Sequence, residues 1–255
     1  MSSEYDNCVE ENPDSVISGF ITEEIKITAN LCSKIIKPDK KYTIIDMGSG
    51  TGRVLFSLYK IFGDSISYCG LDASEQMIQL SKQKQIDLKI DNTTFLHYDT
   101  TNPSIDELFD DESTKITMCM YNTVGVIAPS KREQFFDNMK KLAGEEGLAL
   151  VSAFNGDDFA YAAPKMYHPM KDMVKQIDAD SFDEKKLAFR NSLGYYSQWF
   201  TKNQLNKFLD SEADPIPINV PVNDKIHTYG HVFTDRLVWS QFFSILKIKF
   251  QESYS

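Results

Sequence analysis

Ile44-Ile45-Asp46-Met47-Gly48-Ser49-Gly50-Thr51-Gly52-Arg53 is the stretch on which the fold turns. The apolar run Tyr42–Met47 ends in glycines at 48, 50 and 52, and an amphipathic run follows with Val54, Leu55, Leu58 and Ile61 on one face. The first run reads as a buried strand and the second as a helix over Gly52–Phe62. Strand, bare turn and helix in that order make a ligand loop of what is otherwise only a glycine pattern. Without Cβ atoms the backbone turns tightly and comes close to a ligand, and the helix N-terminus offers free N–H groups.

The loop's spacing narrows the ligand. A dinucleotide fingerprint places its third glycine five residues after the first, at 53, where this chain has Arg53. Asp46, at the strand end, would repel a pyrophosphate and attract a ligand carrying an ammonium and a sulfonium. NAD is therefore disfavoured. A glycine-rich turn with no ligand is the plain alternative.

Outward from the loop, strands and helices alternate. Ser67–Leu71 reads as the second strand, Ser74 to about Gln85 as a helix, Thr94–His97 as the third strand and Ile105–Phe109 as a short helix. Ile116–Tyr121, Lys131–Leu142 and Gly147–Phe154 supply strand, helix and strand again. Such alternation implies parallel pairing through right-handed crossovers, hence an α/β doubly wound, mostly parallel sheet. Before the loop, Ile21–Ile36 is helical in pattern, with Thr22 and Glu23-Glu24 as its start and Pro38 as its end. After Phe154 the rhythm breaks. Residues 155–194 resemble an insertion or lid, Tyr195–Phe200 reads as extended, and Thr201-Lys202-Asn203-Gln204 opens a helix with a capping box. Ile226–Phe233 and Leu237–Phe250 are expected to form an antiparallel C-terminal hairpin turning at Asp235-Arg236. The expected division is one domain over 1–255: a helical cap at 1–41, a ligand-binding core at 42–155, a lid at 156–200, and a last helix and strands at 201–255.

A second carboxylate supports the loop. Asp72 ends the second strand 20 residues after Gly52, where an acidic side chain can accept from both hydroxyls of a ribose. Capping the following helix is its structural alternative. Asp99 follows the third strand in His97-Tyr98-Asp99-Thr100; it can accept from an adenine amino group or cap a turn.

The Asp-x-Gly-x-Gly-x-Gly run, with Leu71-Asp72-Ala73-Ser74-Glu75-Gln76-Met77 behind it, resembles the first two motifs of the class I methyltransferases that use S-adenosylmethionine. The resemblance covers about residues 42–155. It implies a Rossmann-like methyltransferase fold and cofactor contacts from Asp46, Gly48, Ser49, Gly50, Gly52, Arg53, Asp72, Ala73, Met77, Asp99, Thr100 and Asn122. Met77 would pack on the adenine. Cys119-Met120-Tyr121-Asn122-Thr123-Val124-Gly125 is similar to a stretch of glycine N-methyltransferase-like enzymes, with Tyr121 where those carry glycine, so their substrate does not carry over. Beyond the carboxyl end of the fourth strand, Asn122 is expected to face the methyl group and is the first catalytic candidate. His168, in the expected lid, is the candidate base. Tyr5, Phe20 and Tyr161 are candidate substrate contacts, from a composition 12% aromatic.

Composition limits the partners. Against 27 Lys+Arg stand 37 Asp+Glu, a formal charge of −10, which disfavours nucleic acid, and no DNA partner is expected. The Asn-Pro-Pro-Tyr and Pro-Cys motifs of base-modifying enzymes do not occur. Cys8, Cys32, Cys69 and Cys119 have no metal-ligand spacing, and His227 with His231 lacks a third ligand, so no metal is expected. The N-terminus is polar and no apolar run approaches the roughly 20 residues of a membrane span, so a cytoplasmic protein with no membrane partner is expected. The expected partner is a small-molecule methyl acceptor, taking the methyl on nitrogen or oxygen. A protein or RNA acceptor and a non-catalytic S-adenosylmethionine-binding protein remain alternatives. The oligomeric state stays open, a homodimer being one option.

Overall fold

The computed structural model describes residues 9–109 and 112–236. Helix α1 (Ser15–Ile35) begins seven residues before the Thr22 start expected from sequence. Asp14 caps it, accepting from the Val16 and Ile17 N–H groups at 2.8 and 3.3 Å. Val16, Ile17 and Phe20 extend the buried face backwards, which is why the helix continues past the threonine.

The core then runs β1 (Tyr42–Met47), α2 (Arg53–Phe62), β2 (Ser67–Asp72), α3 (Glu75–Leu88), β3 (Thr93–His97), β4 (Thr114–Cys119), α4 (Thr123–Val126), α5 (Arg132–Ala143) and β5 (Leu148–Phe154). The helix expected at 105–109 is a 3-10 turn at Ile105–Leu108. All six residues of β1 are buried, as a central strand requires. Its side chains alternate between two layers. Ile44 packs with Val54, Leu55 and Phe20 on one face, while Ile45 and Met47 pack with Phe135 and Met139 on the other. The same period turns Asp46 toward the α1–α2 face.

Between β5 and the C-terminal elements come α6 (Phe159–Tyr167), α7 (Lys171–Val174), β6 (Phe182–Asp183), β7 (Ala188–Arg190) and β8 (Tyr196–Gln198), the three strands forming a small sheet. Helix α8 (Lys202–Leu209) has the expected Thr201–Gln204 capping box. Strands β9 (Ile216–Val222) and β10 (Lys225–Thr234) complete a seven-stranded sheet of order β3-β2-β1-β4-β5-β10-β9. Its first five strands are parallel, and β10 runs antiparallel to both neighbours.

The expected run 237–250 lies outside the described residues, and the antiparallel hairpin present is that of β9 and β10. It turns at Asn223-Asp224, both left-handed (φ 48° and 62°). Strand β9 carries Pro217 and Pro221; on the sheet edge both are exposed while Ile218 and Val220 are buried. Among the described residues no helix is long and apolar enough to cross a membrane.

The strand order reverses between β1 and β4, since the chain moves out through β2 and β3 before returning to the other side of β1. In an open α/β sheet the crevice beyond the carboxyl ends at that point takes the ligand.

Candidate active site

The glycine loop fills one wall of this crevice, and its three glycines have different tasks. Gly48 and Ser49 donate to the Leu71 carbonyl at 2.7 and 2.9 Å, tying the loop to the end of β2. Gly48 has φ 98°, and a Cβ there would lie 2.4 Å from the Thr123 methyl; Gly52, at φ 87°, would meet Phe56 and Phe95. Those two are glycines because of strain and packing. Gly50 is also left-handed, yet a Cβ on it would meet nothing within 4 Å. Its bare face opens onto space that a ligand can occupy.

Asp72 sits opposite, half-buried. Its two carboxylate oxygens accept from the Gly50 and Ser74 N–H groups, each at 2.8 Å, leaving further lone pairs for a vicinal diol. Burial raises its pKa, and those two N–H groups oppose the rise. Asp46 is 1% exposed. Burial pushes its carboxyl up to about 7, Arg53 pulling it down and Glu24 and Asp72 adding to the rise. Asp46 Oδ1 and Ser49 Oγ are buried polar atoms without a partner. An unpartnered carboxylate oxygen, an unpartnered hydroxyl and an open glycine face fit a nucleoside bearing an ammonium tail.

The other expected cofactor contacts are distributed unevenly. Met77, on the first turn of α3, lines the crevice. The Ala73 carbonyl is 3.0 Å from His97 Nε2, and Thr100 is buried with its carbonyl accepting from Asn138. Asp99 is exposed and engaged in its own turn. It accepts from Thr101 and, at 3.0 Å, from Lys131 Nζ. The Thr101 hydroxyl and N–H, then Lys131, hold it down to about 2. Arg53, expected beside the cofactor, is turned beneath the loop. It donates to Glu24 Oε2 at 3.0 Å and lies 5.3 Å from the centre of the Tyr121 ring.

Glu24 is the residue that sequence reasoning passed over. It is fully buried, and its other oxygen accepts from the Tyr121 N–H at 2.7 Å and from the Ser152 hydroxyl. One carboxylate thereby joins α1, the start of α2 and the ends of β4 and β5. It holds Tyr121 and Asn122 in consecutive left-handed conformations (φ 53° and 58°), a strain that surrounding contacts must sustain.

A cavity of about 270 Å³ opens at this corner. Met77 and Thr123 border it at the glycine loop, Tyr121 and Phe154 form its middle, and Met170, Met173 and Tyr195 border it on the far side. Asn122 lines it too, but its amide is committed. Nδ2 donates to Ser197 Oγ and the Gln198 carbonyl, both at 3.0 Å, and Oδ1 accepts from the Phe154 N–H at 3.1 Å. These bonds link the end of β4 to β5 and β8.

The remaining candidates lie elsewhere. His168 is exposed in a shallow groove with Asp14 and Val222 and is not among the cavity residues. Phe20 packs edge-on behind Tyr121 and Phe154, one layer away. The Tyr161 hydroxyl bonds to His227 Nε2 at 3.0 Å, outside the cavity. Tyr5 lies outside the described residues.

With that geometry in place, residues 38–211 match the family described as a methyltransferase domain. The chain belongs to that family. Its fold is similar to those of S-adenosylmethionine-dependent methyltransferases from Anabaena variabilis and Methanosarcina mazei. The first is 12% identical over 83% of this chain and 84% of the other, TM-score 0.54; the second is 13% identical over 80% and 95%, TM-score 0.53. Over 125 residues, 45% of this chain, it is 30% identical to N-methyltransferase FrzE of a Cladobotryum species. The match spans 43% of that relative's length. The loop, Asp72 and Asp46 are the residues that fit the S-adenosylmethionine of a methyltransferase of this fold.

Proposed function

We propose that this methyltransferase moves the methyl group of S-adenosylmethionine onto nitrogen or oxygen of a small molecule held in the 270 Å³ cavity. What supports this is the cavity's position. It starts at Met77 and Thr123, beside the nucleoside end, and closes on Met170, Met173 and Tyr195 from the 156–200 segment. A walled, largely apolar volume of this size suits a small ligand. The −10 formal charge disfavours an RNA acceptor.

When bound, the cofactor supplies an electrophilic methyl on a sulfonium. Asp72 would accept from the ribose hydroxyls, the bare Gly50 backbone would let the nucleoside approach, and Asp46 would be the carboxylate for the ammonium tail. Tyr121 and Phe154 orient the acceptor from the sheet side. Holding acceptor atom, methyl and sulfur in line removes entropy from the barrier, so positioning is the protein's main contribution. His168 lies outside the cavity and takes no part.

The test joins binding to transfer. S-adenosylhomocysteine should bind by calorimetry and raise the melting temperature, while NAD should do neither. Deuteromethyl-labelled cofactor should label small molecules in a mixed acceptor set. Label found only on protein or RNA would overturn the proposal.

A further inference from the structure

We infer that the acceptor atom is an uncharged amine nitrogen carried on an apolar or aromatic frame, and that its proton is never removed by the enzyme before transfer. This rests on the small-molecule reading above and concerns the same cavity.

The cavity's chemistry is the starting point. Among the described residues, all ten that line it carry uncharged side chains, three of them the aromatic rings of Tyr121, Phe154 and Tyr195. The polar ones spend their groups on the protein. The Thr123 hydroxyl donates to the Met120 carbonyl at 2.8 Å, the Tyr121 hydroxyl reaches the Met170 sulfur at 3.5 Å, and Asn122 binds Ser197, Gln198 and Phe154. Burial pushes the Tyr195 hydroxyl up to about 12, so it keeps its proton at neutral pH.

Such walls sort acceptors by charge. A carboxylate or phosphate would leave water for a site whose hydrogen-bonding groups are already engaged, so its burial is disfavoured. An alcohol or phenol must lose its proton to react well, and that requires a base within hydrogen-bonding reach. A neutral amine needs none. Its lone pair forms the N–C bond while the C–S bond breaks with its electrons passing to sulfur. The positive charge moves from sulfur to nitrogen, and the proton leaves to water once the product is released. Charge is conserved in the step, so an apolar site carries no new ion. The three rings present faces that stabilise a cation at either position. Desolvation in the cavity also favours the neutral, reactive form of the amine over its ammonium.

The experiment uses the full chain with deuteromethyl S-adenosylmethionine and a set of apolar secondary amines, each matched in frame to an alcohol, a phenol, a thiol and a carboxylic acid. Label should appear on amine nitrogen alone. For two accepted amines of different basicity, kcat/KM should rise with pH through an inflection that moves with each amine's own pKa. A second readout needs no turnover. Below its own pKa, each amine should bind the S-adenosylhomocysteine complex about tenfold more tightly per unit of rising pH, as its neutral fraction grows, and level off above that pKa.

Label on oxygen, sulfur or carboxylate of the matched frames would overturn the inference, and so would an inflection fixed at one pH for all amines, which would reveal an enzyme base. S-adenosylhomocysteine bound with no class labelled would also overturn the acceptor assignment. Failure to bind S-adenosylhomocysteine would instead remove the cofactor reading beneath it.

Discussion

The two ends of the cavity are built in opposite ways. At the glycine end, Asp46 to Met77 lie within one short stretch of chain, and backbone N–H groups of Gly48, Ser49 and Gly50 set the shape by bonding to Leu71 and Asp72. At the far end, Met170, Met173 and Tyr195 are held by side chains from distant segments. Asn122 grips Ser197 and Gln198, Arg132 grips Gln198, Trp199 donates to Tyr167 at 3.0 Å, and Asn12 reaches the Pro169 carbonyl. Local backbone geometry tolerates little change, whereas an interlock of side chains can be rebuilt from other residues. A shared cofactor end and a private acceptor end are the expected result.

Glu24 ties the two ends together, so its loss should have the largest effect. Glu24→Ala removes a carboxylate partner from the buried Arg53 and releases the Tyr121 N–H. Breaking a buried pair from one side costs about 3–5 kcal/mol. Denaturant melts should register that loss, with S-adenosylhomocysteine binding falling as well. A loss under about 1 kcal/mol would mean that Glu24 joins nothing.

Asp72→Ala separates the ends instead. Removing a charge-assisted acceptor from the ribose should weaken S-adenosylhomocysteine by about 1–3 kcal/mol in calorimetry. The melt in the absence of cofactor should change little, because the Gly50 and Ser74 N–H groups it releases lie at an open crevice. Unchanged affinity in a folded variant would remove the ribose role.

This division also explains what could be read from the chain alone. The alternation of strands and helices, the loop and Asp72 are sequence-local and carry their own geometry. Glu24 looked like one more charge on an amphipathic helix, because its partners, Arg53, Tyr121 and Ser152, meet only in the fold. The start of α1 is legible in Asn12-Pro13-Asp14, whose Asp14 side chain caps the helix, while Thr22 lies two turns inside it. Strand β9 has two prolines, Pro217 and Pro221, which are rare within a sheet, yet Ile218 and Val220 keep the alternation of an edge strand. Met170 and Met173 gave no local signal for the cavity, since helical methionines usually mean core.

Asp46 gives a smaller, pH-dependent effect at the glycine end. Its pKa is raised from 3.8 to about 7 in the folded protein. Between those values the native state holds a proton that the unfolded chain has lost, so this group makes stability fall as pH climbs from about 4 to 7. Asp46→Asn should flatten that part of the stability profile. A bound ammonium favours the carboxylate, so S-adenosylhomocysteine should tighten several-fold from pH 6 to 8 in the wild type and not in the variant, about tenfold being reached only for a full unit of pKa change. An identical pH slope in both proteins would separate Asp46 from the ammonium tail.

The smallest expected change belongs to Asp99, and it bears on where the glycine end stops. The Thr101 turn and the exposed Lys131 pair already engage both of its oxygens. Exposed pairs contribute about 0–1 kcal/mol, so Asp99→Ala should shift the melt little. If its carboxylate also accepts from the adenine amino group, the variant should weaken S-adenosylhomocysteine while leaving S-inosylhomocysteine, which lacks that amino group, unaffected. Equal affinities for wild type and variant with both ligands would make Asp99 a turn residue only. Recognition at the glycine end would then rest on Asp72, Met77 and the loop, the residues of the one short stretch, which is the sharper form of the contrast between the two ends.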